Sequence, residues 1–235
     1  MIKEIELHVS HFGNGTGAKG HIDEVTEARK VTKRVYEILQ SMKIPSTYFE
    51  DTKSKNQRDN INTLVKHHNQ DKDGLVVSIH FNAGGDGTKA IGTEVLYYNQ
   101  KDLASRLSKA ISDATGGGLK NRGAKQRKDL GVLASTYEPA ILIEVCFVNS
   151  VIDVAIYKRD FEKICQAIAR ELAKEVVLTK VVAPAAVSET ITNARKLIKQ
   201  AISEGIFTGE HKDLNNYTTE QLLHYALIYI ERTRK

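Results

Sequence analysis

Two histidines and a small set of carboxylates stand where the surrounding sequence gives them no ordinary reason to be. His80 ends the run LVVSIHFN (75–82), just before Ala83-Gly84-Gly85. A run so apolar and β-branched reads as a buried strand, and open α/β sheets bind ligands at the ends of such strands. His11 begins HFGNGTGAKG (11–20), whose four glycines let the backbone bend closely around a site. Glu144 lies in the middle of AILIEVCF (140–147), where an unpaired ionised carboxylate costs on the order of several kcal/mol. Its bland explanation is a buried ion pair with Arg122 or Arg127. Glu24 lies seven residues before Val31, on the apolar side of a helical stretch. Glu27 falls near the same side, and spacing does not choose between them. A lone histidine on an apolar strand is ordinarily a core residue. Two imidazoles and a carboxylate from three separate elements, however, make the ligand set of a catalytic zinc ion with an open fourth position. Zinc lowers the pKa of a bound water to roughly 7. A further acid, here Glu144, would take the proton and return it to a leaving nitrogen. No local pair such as H-E-x-x-H is present, so the fold must assemble the set.

The elements that would do so alternate along the first 180 residues. Ile5, Leu7 and Val9 alternate with Glu6 and His8, predicting a half-buried strand that delivers His11 to its loop and points His8 away from it. Ala28, Val31, Val35, Ile38 and Met42 form one face of a helix over 24–42. A short strand over 44–49 precedes a polar helix with Arg58, Ile61, Leu64 and Val65, closing on His67-His68. Adjacent helical residues point about 100° apart. The pair is therefore expected as a solvated last turn that complements the helix dipole. GTEVLYY (92–98) reads as a strand and 103–114 as a helix. Gly116–Gly131 reads as a long loop, whose Lys120, Arg122, Lys125, Arg127 and Lys128 either line an entrance for an acidic substrate or lie solvated. Phe161, Ile164, Ile168, Leu172 and Val176 mark a closing helix. Strands alternating with helices predict an α/β fold with a mostly parallel sheet. Cys146 and Cys165 sit in apolar patterns and read as small core residues.

Val181–Val187, with Pro184, reads as a linker between a domain over 1–180 and a small all-α domain over 188–235. In the latter, Ile191–Ile202 is amphipathic and stops at Gly205, and Thr218 with Gln221 suits a capping box for a last helix. So few residues are marginal alone and are expected to dock or dimerise.

The net charge of +5, with 41% hydrophobic and 27% charged residues, is ordinary for a soluble domain. No basic stripe interleaved with aromatics points to nucleic acid, although mild positive charge suits an anionic polymer. MIKEIELHVSH lacks the apolar region of a signal peptide, and no run approaches transmembrane length. Synthesis in the cytoplasm and no membrane insertion are expected.

Several pieces stand in one order: His11 with its glycine loop, a glutamate opening the first long helix, SIHFN (78–82) and GTEV (92–95), then Arg122-Gly123-x-Lys125, DLGVL (129–133) and PAILIEVCFVNS (139–150) with Asp153. Over roughly Ile5–Val177 this set resembles the zinc-dependent N-acetylmuramoyl-L-alanine amidases of the Amidase_3 type, found in phage endolysins and bacterial autolysins. The resemblance implies a phosphorylase/hydrolase-like fold, a twisted, mostly parallel sheet flanked by helices. It also implies one Zn2+ per chain held by His11, Glu24 and His80, with Glu144 as catalytic glutamate. Glu24 rather than Glu27 matches, because the family glutamate stands seven residues before the first helix aliphatic, here Val31. The implied reaction cleaves the amide between N-acetylmuramic acid and L-alanine in peptidoglycan. Two departures are SHFGN where GHGG is usual and Cys146 where glycine is usual; the first bears on loop conformation, not on the ligand. Residues 188–235 lie outside the match, and wall targeting or homodimerisation through their helices is expected. The resemblance, with no signal peptide, points to a phage endolysin released through a holin-made lesion. The rival readings are a zinc peptidase cutting within the stem peptide and a non-catalytic wall-binding module. Retention of all four site residues argues against the second.

Overall fold

The structure, a computed structural model, describes residues 2–13, 15–176, 185–207, 214 and 217–233. Strand β1 (Glu4–Val9), helix α1 (Glu24–Ser41), β2 (Ser46–Phe49), α2 (Gln57–His68) and β3 (Gly74–Asn82) follow the alternation of the sequence. Then come β4 (Thr93–Tyr97), α3 (Lys101–Ala114), β5 (Asn121–Gln126), α4 (Gly131–Ser135), β6 (Ala140–Phe147) and α5 (Val151–Ala173). The six strands form one sheet in the order β2-β1-β3-β6-β4-β5. β2, β1, β3 and β6 are mutually parallel, β4 runs antiparallel to β6, and β5 is parallel to β4. The sheet is mostly parallel, as expected.

Side chains alternate across a sheet, so each strand feeds two faces. Ile5, Leu7, Val9, Leu75, Val77, Ile79, Ile141 and Ile143 pack with Ala28, Val31, Val35 and Leu39 of α1 and Ile164, Ile168 and Leu172 of α5. That is the main core, and Cys146 and Cys165 are fully buried in it. Val76, Ala140 and Leu142 pack on the other face with Leu64 of α2 and Val132 and Leu133 of α4. The same alternation puts Glu6, His8, Ser78, His80 and Glu144 on this second face, so β1 is buried on both faces rather than half-buried, and His8 faces the side of His80 instead of away from it.

Two further expectations are corrected. The stretch Gly116–Gly131 is not a structureless loop: Asn121–Gln126 within it is strand β5, and its last residue starts helix α4 (Gly131–Ser135). β5 (NRGAKQ) has no apolar alternation because it is an edge strand held by backbone pairing to β4. The His67-His68 turn is not solvated. His68 is 1% exposed, under the polar side of β1, while His67 stacks on Phe49 with ring centroids 3.8 Å apart. The two rings do face different ways, but both find partners. No helix among the described residues is long and apolar enough to cross a membrane.

The chain divides into two compact units, Met1–Val177 and Leu178–Lys235. The second has its own core of Ala194, Ile198, Ala201, Phe207, Leu214, Leu222, Ala226 and Tyr229. It is built from α6 (Ala185–Ser203) and α7 (Thr219–Thr233). Residues 181–184 of the expected linker lie outside the described residues, and its last three belong to α6. Gly205 has the left-handed φ of +72° that ends a helix, and Thr218 and Gln221 exchange the two capping-box hydrogen bonds at 2.9 and 3.2 Å.

Candidate metal centre

His11 follows β1, Glu24 is the first residue of α1 and His80 lies near the end of β3. One oxygen of Glu24 joins them. Oε1 lies 3.1 Å from His11 Nε2 and 2.9 Å from His80 Nδ1, and the three candidate ligand atoms lie within 4.8 Å of one another. The carboxylate is anchored from behind, its Oε2 accepting from the Ala18 N–H at 2.6 Å and its Oε1 from the Phe81 N–H at 3.2 Å. Burial works to raise the Glu24 carboxyl, but the hydrogen bonds of His11 and His80 outweigh it and hold Glu24 well below the usual carboxylate range. Burial lowers His80, leaving its imidazole neutral with a lone pair to donate. Gly17 closes the loop over the site. A Cβ there would sit 2.6 Å from Glu24 Oε2 and 2.8 Å from His11 Cδ2. Two imidazole nitrogens and one ionised carboxylate, converging under so tight a loop, fit a zinc ion.

Glu27 is engaged elsewhere, accepting from the Tyr157 hydroxyl and Lys30, each at 2.8 Å. It takes no part in this cluster. The backbone of His11 is itself unusual, with φ +60°. Its carbonyl accepts from Asn60 Nδ2 at 3.3 Å, and Asn60 is fixed in turn by Asp51 Oδ2 at 2.9 Å. Both supporting side chains are buried. Sequence reading missed them, since a polar residue on a polar helix or in the loop before it carries no signal until the loop it supports is known.

Glu144 stands beside His80, its register partner across β3 and β6, and faces Glu94 across β6 and β4. The ion pairs that would have made it ordinary are not formed. Arg122 Nε donates to Glu94 Oε2 at 2.8 Å, and Arg127 holds Asp129 through two hydrogen bonds. Glu94 also accepts from Asn82 Nδ2 at 2.9 Å. Glu144 Oε2 is buried without a hydrogen-bond partner. Burial, with the carboxylates of Glu24 and Glu94 adding to it, pushes Glu144 up to about 8. A cavity of about 80 Å³ adjoins the two histidines, walled by Ile61, Leu64, Val132 and Leu142.

The sequence profile of the N-acetylmuramoyl-L-alanine amidases (Amidase_3) matches residues 5–174. The chain belongs to this family. The amidase match ends inside the first compact unit and takes in every residue of the cluster. The chain is 28% identical over 215 residues to an uncharacterised protein of Clostridium perfringens, covering 89% of this chain and 62% of that protein. It is 31% identical over 172 residues to the endolysin of Bacillus phage SPP1, covering 68% of this chain and 60% of the endolysin. The chain thus spans about three fifths of the length of these curated relatives. Among solved structures, the catalytic domain of the CD27L endolysin targeting Clostridia difficile superposes with a TM-score of 0.64 at 25% identity. That match covers 74% of this chain and 99% of the solved domain. The fold expected from the sequence is therefore the amidase catalytic fold. Within it, His11, Glu24 and His80 come together as one cluster, and Glu144 lies next to it on the neighbouring strand.

Proposed function

We propose that this chain is a peptidoglycan hydrolase that cleaves the amide between N-acetylmuramic acid and the L-alanine of the stem peptide. His11, Glu24 and His80 would hold one Zn2+ per chain. When bound, zinc polarises the scissile carbonyl, stabilises developing negative charge and makes water a nucleophile at neutral pH. Glu144 is the general base in its ionised form, which a cation held beside it would favour near neutral pH against the burial that pushes its carboxyl up to about 8. It takes a proton from the attacking water and returns it to the departing amide nitrogen, so that water and amide become a lactyl carboxyl and a free amine. The observation that carries this reading is the half-buried Glu144 carboxylate beside His80, its Oε2 buried and unpartnered and no cation paired to it. A structural acid would have been given a partner; a base must keep an oxygen free. The apolar cavity beside the histidines suits an aliphatic substrate group better than a charged one.

The second unit, in this reading, binds the wall. Leu223 and Leu227, one turn apart on α7, are exposed, and an apolar strip of that kind suits a partner surface. Homodimerisation through the same helices is the alternative, which sedimentation of the full chain separates. The enzyme acts at the cell wall. Holin-mediated release belongs to the same reading, supported by the relative named an endolysin, and lysis that depends on a co-expressed holin tests it.

The test of the chemistry is loss of turbidity of purified cell walls with wild type and Glu144→Ala, zinc content measured in both. Both should hold about one zinc, and the variant should lose about 10²–10⁴-fold in rate. Lysis by Glu144→Ala at the wild-type rate would sink the mechanism. Products must carry a free lactyl carboxyl and an L-alanine amino terminus; cuts between stem-peptide residues would instead make the protein a peptidase. A wild type that binds walls and never lyses them would be a binding module.

A further inference from the structure

A second group of ligating side chains lies on the same sheet face, at the opposite end of the strands. Glu6 comes from β1, Asp71 from the turn after α2 and Glu138 from the residues just before β6. One oxygen of each lies within 4.8 Å of the others. Glu6 and Glu138 are each only 5% exposed, whereas Asp71 is exposed and leaves the group open to solvent on one side.

Each buried carboxylate has one oxygen held and one orphaned. Glu138 Oε1 accepts from the Gly74 N–H at 2.6 Å, and Glu6 Oε2 lies 2.5 Å from His68 Nδ1. Glu6 Oε1 and Glu138 Oε2 are buried without a hydrogen-bond partner. The orphaned Glu6 oxygen lies over Gly74, where a Cβ would be 2.2 Å from it. Only glycine leaves that space.

The surroundings supply no positive charge. Burial lowers His68 to about 4 and His8 well below its usual value, so both rings are neutral near pH 7. His68 Nδ1–H then donates to Glu6, and its Nε2 accepts from His8 Nδ1 at 2.8 Å, a tautomer assignment that follows from the hydrogen bonds. Lys3 is paired with Asp73 at 2.6 Å, and Lys72 lies over the Tyr137 ring. Among the described residues, no lysine or arginine pairs with Glu6, Asp71 or Glu138. A proton shared between Glu6 and Glu138 would still leave two negative charges among three carboxylates. One of the two is buried, beside the exposed Asp71 carboxylate, and no cation answers it.

We propose that Glu6, Asp71 and Glu138 form a second cation site, for a hard divalent ion of the calcium, magnesium or manganese class. An all-carboxylate oxygen set selects hard ions over zinc, which separates this site from the His11–Glu24–His80 centre. The ion ties the starts of β1 and β3 to the segment that leads into β6. Its role is structural, at the end of the sheet away from the proposed chemistry.

The test uses the full chain, stripped of metal and reloaded with a single equivalent of zinc. Calcium, magnesium and manganese are then added separately at millimolar concentration near neutral pH, and thermal unfolding is followed. At least one should raise Tm saturably by about 5 °C or more. Glu138→Gln and Asp71→Asn should remove that rise, and Asp71→Asn, at an exposed position, keeps the test valid if the buried variant folds poorly. Terbium emission excited through tyrosine should titrate in wild type and fall at least tenfold in both variants. A His11→Ala variant should keep the whole response. No rise with any of the three ions, or an equal rise in wild type and Asp71→Asn, overturns the site and leaves a shared proton as the account of the cluster.

Discussion

His11 holds a backbone conformation that a non-glycine residue adopts at a cost of roughly 1 kcal/mol or more. The amide of Asn60 meets its carbonyl, and Asp51 fixes that amide. Asn60→Ala should leave the far-ultraviolet circular dichroism unchanged and weaken zinc binding about 10–100-fold, read by competition with a chromophoric chelator. Glu27→Gln, by contrast, should keep full zinc affinity, because its contacts are with Tyr157 and Lys30, whereas Glu24→Gln should lose the metal. These two acids also mark where sequence reading stops. Both face inward on α1, at 4% and 8% exposure, so periodicity treats them alike. What separates them is Tyr157, a partner 130 residues away that only the folded chain brings near. His80 and Glu144 were legible for the opposite reason, each a polar type inside an apolar run, and His11 through the glycine loop it opens. Asn60 breaks no local rule and was invisible.

β4 and β5 run against the rest of the sheet, and their docking depends on one narrow passage. Gly92 has φ +116°, and a Cβ there would lie 2.1 Å from the Lys120 carbonyl oxygen. Gly92→Ala should destabilise the fold by about 2–4 kcal/mol in urea unfolding, through both strain and collision. At the starts of the central strands β1, β3 and β6, stability should depend on pH when divalent ions are absent. Burial, reinforced by neighbouring acids, pushes both Glu6 and Glu138 up to about 7, from an ordinary 4.5. The groups facing them are Glu4, Asp71, Asp73 and His68. A carboxyl raised in the folded state contributes most at low pH, and that contribution is lost as pH rises through the folded value. His68, lowered to about 4, works in the opposite sense below its unfolded value of 6.5. The clean window is therefore between about pH 6.5 and 8. There, the stability of wild type should fall relative to Glu138→Gln, and a saturating cation should abolish that fall by stabilising wild type alone. Element order and the main core followed from alternation and spacing. β5 did not, because an edge strand of polar residues is held by its neighbour's backbone rather than by its own pattern.

Each of the two units has its own buried cluster, with every member of the first before residue 177 and every member of the second after residue 193. Unfolding of the full chain should therefore show two calorimetric transitions, and residues 1–177 alone should keep the first together with the zinc proposed for it. If the second unit binds the wall, that fragment should cleave solubilised glycopeptides at the full rate and lose most of its activity on intact walls. The main core also carries both cysteines, fully shielded. Burial is the main reason that Cys146 is pushed well above its usual value and Cys165 up to about 12. Thiolate is the species that labelling reagents attack, so native molecules should be inert to them. Modification then proceeds only through molecules in which this core has opened, and its rate counts those openings. The chain thus carries two internal clocks for its own unfolding, readable with a colorimetric thiol reagent.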